Sequence, residues 1–314
     1  MQLPNLQNLT KAHALIKPFI HETPVMQSEL LNRKLGCQLL FKCENFQKVG
    51  AFKFRGASHA VLQLNTEEKE RGVATHSSGN HAAALAKAAT MNGIKAHIVM
   101  PENAPGVKVE AVKAYGGLIT FCEPTLAARE TTLQKVMDAT GAVLVHPYDN
   151  FNVICGQGTA CLELVAQIEE PDIIMAPIGG GGLMSGTCIA AKNSWKKTRI
   201  IGAEPAEAND AFLSFQANQL IPADNPKTIA DGLRTSLAPI TFEIINSHLD
   251  DLLTCSEPAI VEAMELVYKY LKIVIEPSSA VPLAVILEHR EKFTGKTIAI
   301  ILSGGNVDLK NLPF

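Results

Sequence analysis

No two of the seven cysteines stand in Cys-x-x-Cys spacing. Cys37, Cys43, Cys122, Cys155, Cys161, Cys188 and Cys255 are scattered and odd in number. That pattern argues against a disulfide framework or a zinc site and makes a reducing, cytoplasmic setting the expectation. Cys43 reads as a buried structural thiol. No block of basic residues occurs and the formal net charge is −3, so nothing supports a nucleic-acid partner. No apolar run reaches the length needed to span a bilayer, so no membrane association is expected. The opening residues, Met1-Gln2-Leu3-Pro4-Asn5, show no charged segment followed by an apolar one, so no secretion signal is expected. Internal repeats and low-complexity linkers are missing too.

What is present is the composition of a folded globular protein, 47% hydrophobic and 19% charged over 314 residues, enough for two packed lobes. Short apolar runs alternate with helical stretches, the signature of an α/β protein. The pattern predicts strands at 37–43, 72–76, 95–100, 117–121, 142–146, 172–178, 199–204 and 297–302. Several are almost wholly apolar, as strands buried on both faces of a parallel sheet are. Helices are expected at 80–92, 106–115, 126–140, 156–167, 183–192, 258–270 and 279–291, with 126–140 reading as a sheet-covering amphipathic helix. The block 71–148 has a regular β-α-β-α spacing of its own. It reads as a small domain inserted into a larger one built from 1–70 and 149–314, with a small-molecule cleft between them.

Lys53 lies between Phe52 and Phe54, after the glycine hinge at Gly50 and before a helix-like stretch. Apolar flanks desolvate an amine, lower its pKa and make it a usable nucleophile or base. A surface lysine on an amphipathic stretch is the plain alternative. The run Ile178-Gly179-Gly180-Gly181-Gly182-Leu183 joins an apolar strand to a helix. Four glycines there let successive backbone N–H groups converge on an anion at a helix N-terminus. No Gly-Lys-Ser/Thr follows and the glycines lack dinucleotide-fingerprint spacing, so ATP and NAD gain no specific support. In Ser77-Ser78-Gly79-Asn80-His81 a strand ends and a helix starts at once. Ser77, Ser78 and Asn80 can cap that helix, or the free N–H groups can hold a carboxylate. Finally, the strand at 297–302 runs into Ser303-Gly304-Gly305-Asn306, which is either a turn or the wall of a ligand crevice.

In combination and in this order, the Lys53 run, the Ser-Ser-Gly-Asn-His loop, the glycine loop and the terminal Ser-Gly-Gly-Asn resemble the fold-type-II pyridoxal-phosphate (PLP) enzymes. Within them the chain resembles the serine racemase and serine/threonine dehydratase group, including 3-hydroxyaspartate ammonia-lyase-like members, from His21 to Asn306. The resemblance implies a tryptophan-synthase-beta-like fold of two open twisted sheets with flanking helices. It implies that Lys53 is the covalent anchor of PLP, that Phe52 packs on the pyridine ring, and that Asn80 hydrogen-bonds the phenolic oxygen. Gly179, Gly180, Gly181 and Gly182 would cradle the phosphate, and Ser303 would face the pyridine nitrogen. A neutral hydroxyl there leaves the ring a weaker electron sink, which favours prompt loss of a β-hydroxyl. Ser77, Ser78, Asn80 and His81 would hold the substrate carboxylate. Ser78 would also serve as the acid/base on the face opposite Lys53, which racemisation requires.

The same resemblance implies a divalent-cation loop in which Glu204 and Asp210 supply carboxylates and Ala208 its carbonyl, a set of oxygen donors suited to Mg²⁺ or Ca²⁺. Arg129 would reach the distal carboxylate of a substrate such as 3-hydroxyaspartate, and Ser236 would lie near the substrate. An amino-acid substrate and a homodimer are expected. Animal members bind ATP between subunits near the places matching 27–30 and 48–49. Glu29 and Val49 replace hydroxyl residues there, which argues against ATP activation. Phe314 follows soon after Asn306, so no C-terminal regulatory domain is expected. The activity implied is α,β-elimination of serine, threonine or 3-hydroxyaspartate to a keto acid and ammonia, with racemisation. A β-replacement enzyme of the cysteine-synthase type and a non-catalytic PLP- or phosphate-binding protein are the alternatives. The former usually carries Thr-Ser-Gly-Asn-Thr in the substrate loop.

Overall fold

Strand residues alternate between two cores, so the main sheet is buried on both faces. In this computed structural model, which describes residues 2–77 and 79–314, Leu39, Phe41, Ile298 and Ile300 enter one core while Ile174, Ala176, Ala299 and Ile301 enter the other. The period of two is that of extended backbone. The ten strands are β1 (Val25–Met26), β2 (Gln38–Cys43), β3 (Val73–His76), β4 (Ala96–Pro101), β5 (Leu118–Cys122), β6 (Val143–Leu144), β7 (Ile173–Pro177), β8 (Arg199–Pro205), β9 (Asp251–Cys255) and β10 (Thr297–Leu302). Six form one sheet in the order β1-β2-β10-β7-β8-β9, parallel except for the β1–β2 pair. Four form a second, wholly parallel sheet in the order β5-β4-β3-β6.

All eight expected strands are found, most within a residue of the expected ends, though β6 keeps only two residues. The sheet edges β1 and β9 escaped the sequence reading: β1 is too short for a periodic signal, and β9 opens on Asp251 and is only partly apolar.

The helix expected at 156–167 starts at Phe151, where Asn150 caps it by accepting the N–H of Val153. The glycines near its expected start are contact points instead. A Cβ at Gly156 would lie 2.6 Å from the carbonyl oxygen of Arg55, and one at Gly158 would lie 2.5 Å from Leu9. Likewise, a Cβ at Gly186 would lie 2.4 Å from the backbone nitrogen of Gly158. The helices Lys53–Leu62, Phe151–Gln167 and Gly182–Ser194 therefore approach backbone to backbone, which any larger residue would block.

The helix Asn80–Met91 is alanine-rich because it is buried between the Lys53 helix and the small sheet. Alanine favours helix and allows close approach. Phe54, Ala57 and Val61 of the Lys53 helix belong to that same core. The helix Leu126–Thr140 covers the small sheet only lightly, with Leu133 its one fully buried residue. Short or polar helices at Leu6–Ile16, Glu29–Leu35, Thr66–Arg71, Asp210–Ala217 and Pro239–His248 were not expected. All seven cysteines are buried and free, and burial pushes Cys43 up to about 12.

Below the Lys53 helix lies a fully buried ion cluster. Arg55 Nε donates to Glu44 Oε2 at 2.7 Å, and its Nη1 and Nη2 donate to Glu163 at 2.7 Å each. Lys42 Nζ donates to Glu163 at 2.8 Å and to the carbonyl of Thr23 at 2.7 Å. Two cations balance two carboxylates, and every head group is hydrogen-bonded, as buried charge requires.

Candidate active site

Lys53 is the first residue of its helix and is half-buried. Its Nζ donates to the carbonyl of Pro147 at 3.0 Å and sits 5.1 Å from the centre of the Phe52 ring. Burial pulls its pKa down to about 8, opposed by the nearby carboxylate of Glu276. The preceding segment is stapled to the end of β10: Phe52 N–H donates to the carbonyl of Ser303 at 3.0 Å, and Ala51 bridges Gly304. Phe52, Lys53 and Ser303 are thus brought together by backbone geometry, with Ser303 itself buried.

Gly179–Gly182 fill the turn from β7 into the helix Gly182–Ser194, and all four are buried. Among the described residues, none of their backbone N–H groups is paired with an acceptor. Buried donors left open at a helix N-terminus constitute a site for an anion. Gly181 is left-handed at φ +82°, and a Cβ at Gly180 would lie 2.2 Å from the Tyr148 ring. Since Lys53 is bonded to Pro147 and Tyr148 packs on Gly180, the Pro147-Tyr148 step joins the lysine to the glycine cradle.

Among the described residues no side chain caps the helix Asn80–Met91: Gly79 is the N-cap, and Ser77 Oγ accepts the Gly79 N–H at 3.4 Å. Of the candidate caps, Ser77 and Asn80 therefore make no capping bond to this helix. Ser78 lies outside the described residues. Lys108 Nζ approaches within 3.9 Å of a Cβ placed on Gly79, and it forms an ion pair with Asp231. A cation therefore stands near the N-terminal end of that helix.

His81 is buried, and its ring Nε2 faces the carbonyl of Val145 at 2.9 Å, which fixes the proton on that nitrogen. Its Nδ1 is buried without a partner among the described residues. Burial, aided by Lys53, drives its pKa down to about 3, so it is neutral. What His81 offers a carboxylate is its backbone N–H. Asn80 Nδ2 donates to Glu276 and its Oδ1 accepts from Asn306.

Arg129 is partly buried, with Nε 3.4 Å from the carbonyl of Thr125, and its charge depresses the pKa of His76 after burial. Ser236 Oγ accepts the N–H of Ala223 at 2.7 Å, which ties its side chain to a loop. Glu204 is fully buried and accepts the N–H groups of Ala211 and Phe212 at 3.1 and 2.8 Å. Asp210 is buried with neither carboxyl oxygen partnered among the described residues, and burial raises its pKa to about 6. Burial and Asp210 together raise Glu204 well above the carboxylate range. Ala208 is buried in the turn between them. Among the described residues no group of three or more His, Cys, Asp or Glu is placed to hold a metal ion, so a cation here would rest on two carboxylates.

Sequence reasoning missed His146, Tyr148, Glu276, Lys108 and Asp231. His146 is stacked edge-on to Tyr148 with ring centres 4.7 Å apart, and burial takes its pKa down to about 4. The position of His146 at the C-terminal end of an expected strand was a usable signal. For Glu276 the signal was an apolar run, Ile273-Val274-Ile275, ending at a carboxylate before a helix-starting proline.

The chain is 50% identical over 314 residues to the beta-hydroxyaspartate dehydratase of Paracoccus denitrificans, covering 100% of both. It is 49% identical over 313 residues to the serine racemase of Arabidopsis thaliana, covering 98% of this chain and 95% of the relative. Among solved structures, maize serine racemase superposes with a TM-score of 0.96 at 46% identity, covering 98% of this chain and 95% of that one. The pyridoxal-phosphate dependent enzyme family matches residues 16–304, and the chain belongs to it.

Proposed function

We propose that the protein is a PLP-dependent ammonia-lyase that dehydrates a β-hydroxy amino acid, 3-hydroxyaspartate or serine, to a keto acid and ammonia, with racemisation as a second outcome. One observation carries the reading: a half-buried amine of lowered pKa and a cradle of open buried N–H groups meet across Pro147-Tyr148. The donors fit the cofactor. Gly179, Gly180, Gly181 and Gly182 suit a phosphate, Lys53 an aldehyde, Phe52 an aromatic face and Ser303 a ring nitrogen. When bound, PLP supplies the electron sink that acidifies the α-carbon.

The chain's own groups do the rest. Lys53, neutral near pH 8, accepts the α-proton and can return it. The first N–H groups of the helix Asn80–Met91, with Ser77, orient the α-carboxylate near the charge of Lys108. The proton on the opposite face falls to Ser78, and the distal carboxylate to Arg129, with Ser236 nearby. The half-buried rings of Tyr148 and His146 pack edge to face beside the site. The names of the relatives, a beta-hydroxyaspartate dehydratase and a serine racemase, support both outcomes.

In the same reading, Glu204, Asp210 and Ala208 hold Mg²⁺ or Ca²⁺, and two chains pair as a cytoplasmic homodimer. The block 71–148 is then a small domain set into the larger one formed by 1–70 and 149–314. No helix among the described residues is long and apolar enough to cross a membrane.

The test is a panel of L-serine, D-serine, threonine and 3-hydroxyaspartate with PLP-loaded protein, read for keto acid and for enantiomer. No turnover of any of them ends the proposal. Ser78→Ala should lose serine enantiomer exchange more than elimination, and equal loss removes the second-face role.

A further inference from the structure

Both ends of the Asn80 side-chain amide are committed. Asn306 Nδ2 donates to Asn80 Oδ1 at 2.9 Å, and Asn80 Nδ2 donates to Glu276 Oε1 at 2.8 Å and Oε2 at 3.0 Å. Turning the amide over would set its carbonyl against a carboxylate and its NH₂ against another NH₂, so its direction is fixed. The two acceptor oxygens belong to one carboxylate and subtend a narrow angle at the nitrogen. One N–H serves both, and the second N–H is left for a ligand.

The two residues that hold Asn80 are themselves built in. Glu276 is 3% exposed. Its backbone N–H donates to the carbonyl of Gly304 at 3.1 Å, and a Cβ on Gly304 would lie 2.8 Å from Oε1. Burial raises its pKa to about 7, and Asn80, Asp231, Lys108 and the Asn306 N–H act on it in turn. Its own charge acts on Lys53. Asn306 Nδ2 also donates to the carbonyl of Val49 at 2.8 Å, and Val49 is left-handed at φ +59°. A β-branched residue is strained there, and the bond from Asn306 helps hold it four residues before Lys53.

We propose that Glu276 and Asn306 are positioning residues that lock the Asn80 amide so that one of its N–H groups stays presented to PLP. The proposal rests on the PLP reading above. Outer residues that orient a ligand-binding group are commonly worth about 10-fold in affinity. The experiment titrates PLP into apoprotein by fluorescence and follows the pH dependence of PLP uptake, using the wild type, Glu276→Gln and Asn306→Ala.

Glutamine can turn either its carbonyl or its NH₂ to Asn80, so E276Q releases the lock. Both variants should bind PLP about 10-fold more weakly. In E276Q alone the pH midpoint of uptake should also fall, because the carboxylate that stabilises the Lys53 ammonium is gone. Thermal unfolding separates these effects from loss of fold. Wild-type affinity in both variants with an unmoved midpoint overturns the proposal. If E276Q does not fold, N306A decides, and unchanged affinity there overturns it. Wild-type protein that takes up no PLP removes the cofactor reading and this proposal together.

Discussion

The Nζ of Lys53 is held by the carbonyl of Pro147, 94 residues away in sequence, at 3.0 Å. The bond aims the amine without neutralising it. Burial disfavours the ammonium, so the amine loses its proton near pH 8 instead of at the ordinary lysine value of 10.5. PLP uptake by apoprotein should therefore rise through about pH 8, measured as growth of the visible absorbance of lysine-bound PLP. Lys53→Ala should show none of that absorbance. Uptake that rises only near pH 10 would contradict the depressed pKa.

Gly180 and Tyr148 leave no room for a methyl group, the built Cβ lying 2.2 Å from the ring. Gly180→Ala should destabilise the protein by about 1–3 kcal/mol, the usual cost of overpacking. It should also weaken phosphate-dependent PLP binding. Tyr148→Ala in the same chain should recover part of the loss, because it vacates the space. Denaturant titration of the two single variants and the double variant checks the coupling.

Arg55 is the hub of the buried ion cluster. Arg55→Met leaves Glu44 and Glu163 buried without their main partner, and the expected loss is about 3–5 kcal/mol. Urea unfolding measures it. A loss under about 1 kcal/mol would mean that the cluster is no more valuable than a surface pair.

Glu204 and Asp210 are two buried carboxyls whose pKa values are both raised, Asp210 to about 6. Raised carboxyl pKa values mean that the folded chain without a cation loses stability as pH rises through that range, since the ionised pair is buried. A bound Mg²⁺ or Ca²⁺ reverses the penalty. EDTA should lower the Tm at pH 7.5, added Mg²⁺ or Ca²⁺ should restore it, and the difference should shrink below pH 6. A Tm indifferent to EDTA speaks against this pair as ligands.

The sequence carried the central features because they are local. Alternating apolar runs specified β2, β7, β8 and β10, and four glycines between β7 and a helix specified an anion cradle. Lys53 was legible through its phenylalanine neighbours. What stayed hidden depends on contacts across the chain. Nothing near Glu276 in sequence announces Asn80 or Asn306, and nothing near Lys108 announces Asp231. The helix expected from Gly156 begins five residues earlier, and only the crossing helices show why glycine stands at 156 and 158.

The place of β10 between β2 and β7 has a consequence for assembly. Phe52, next to Lys53, is tied to Ser303, and the Asn80 amide to Asn306. As the ribosome extends the chain, the lysine segment emerges early and its partners at Pro147 and in the helix Phe151–Gln167 follow, but its ties to the end of β10 wait for residues 297–306. If Lys53 anchors the cofactor as proposed, its seat is completed by a central strand that is made last, and a half-made chain carries that amine without the β10 end of its frame.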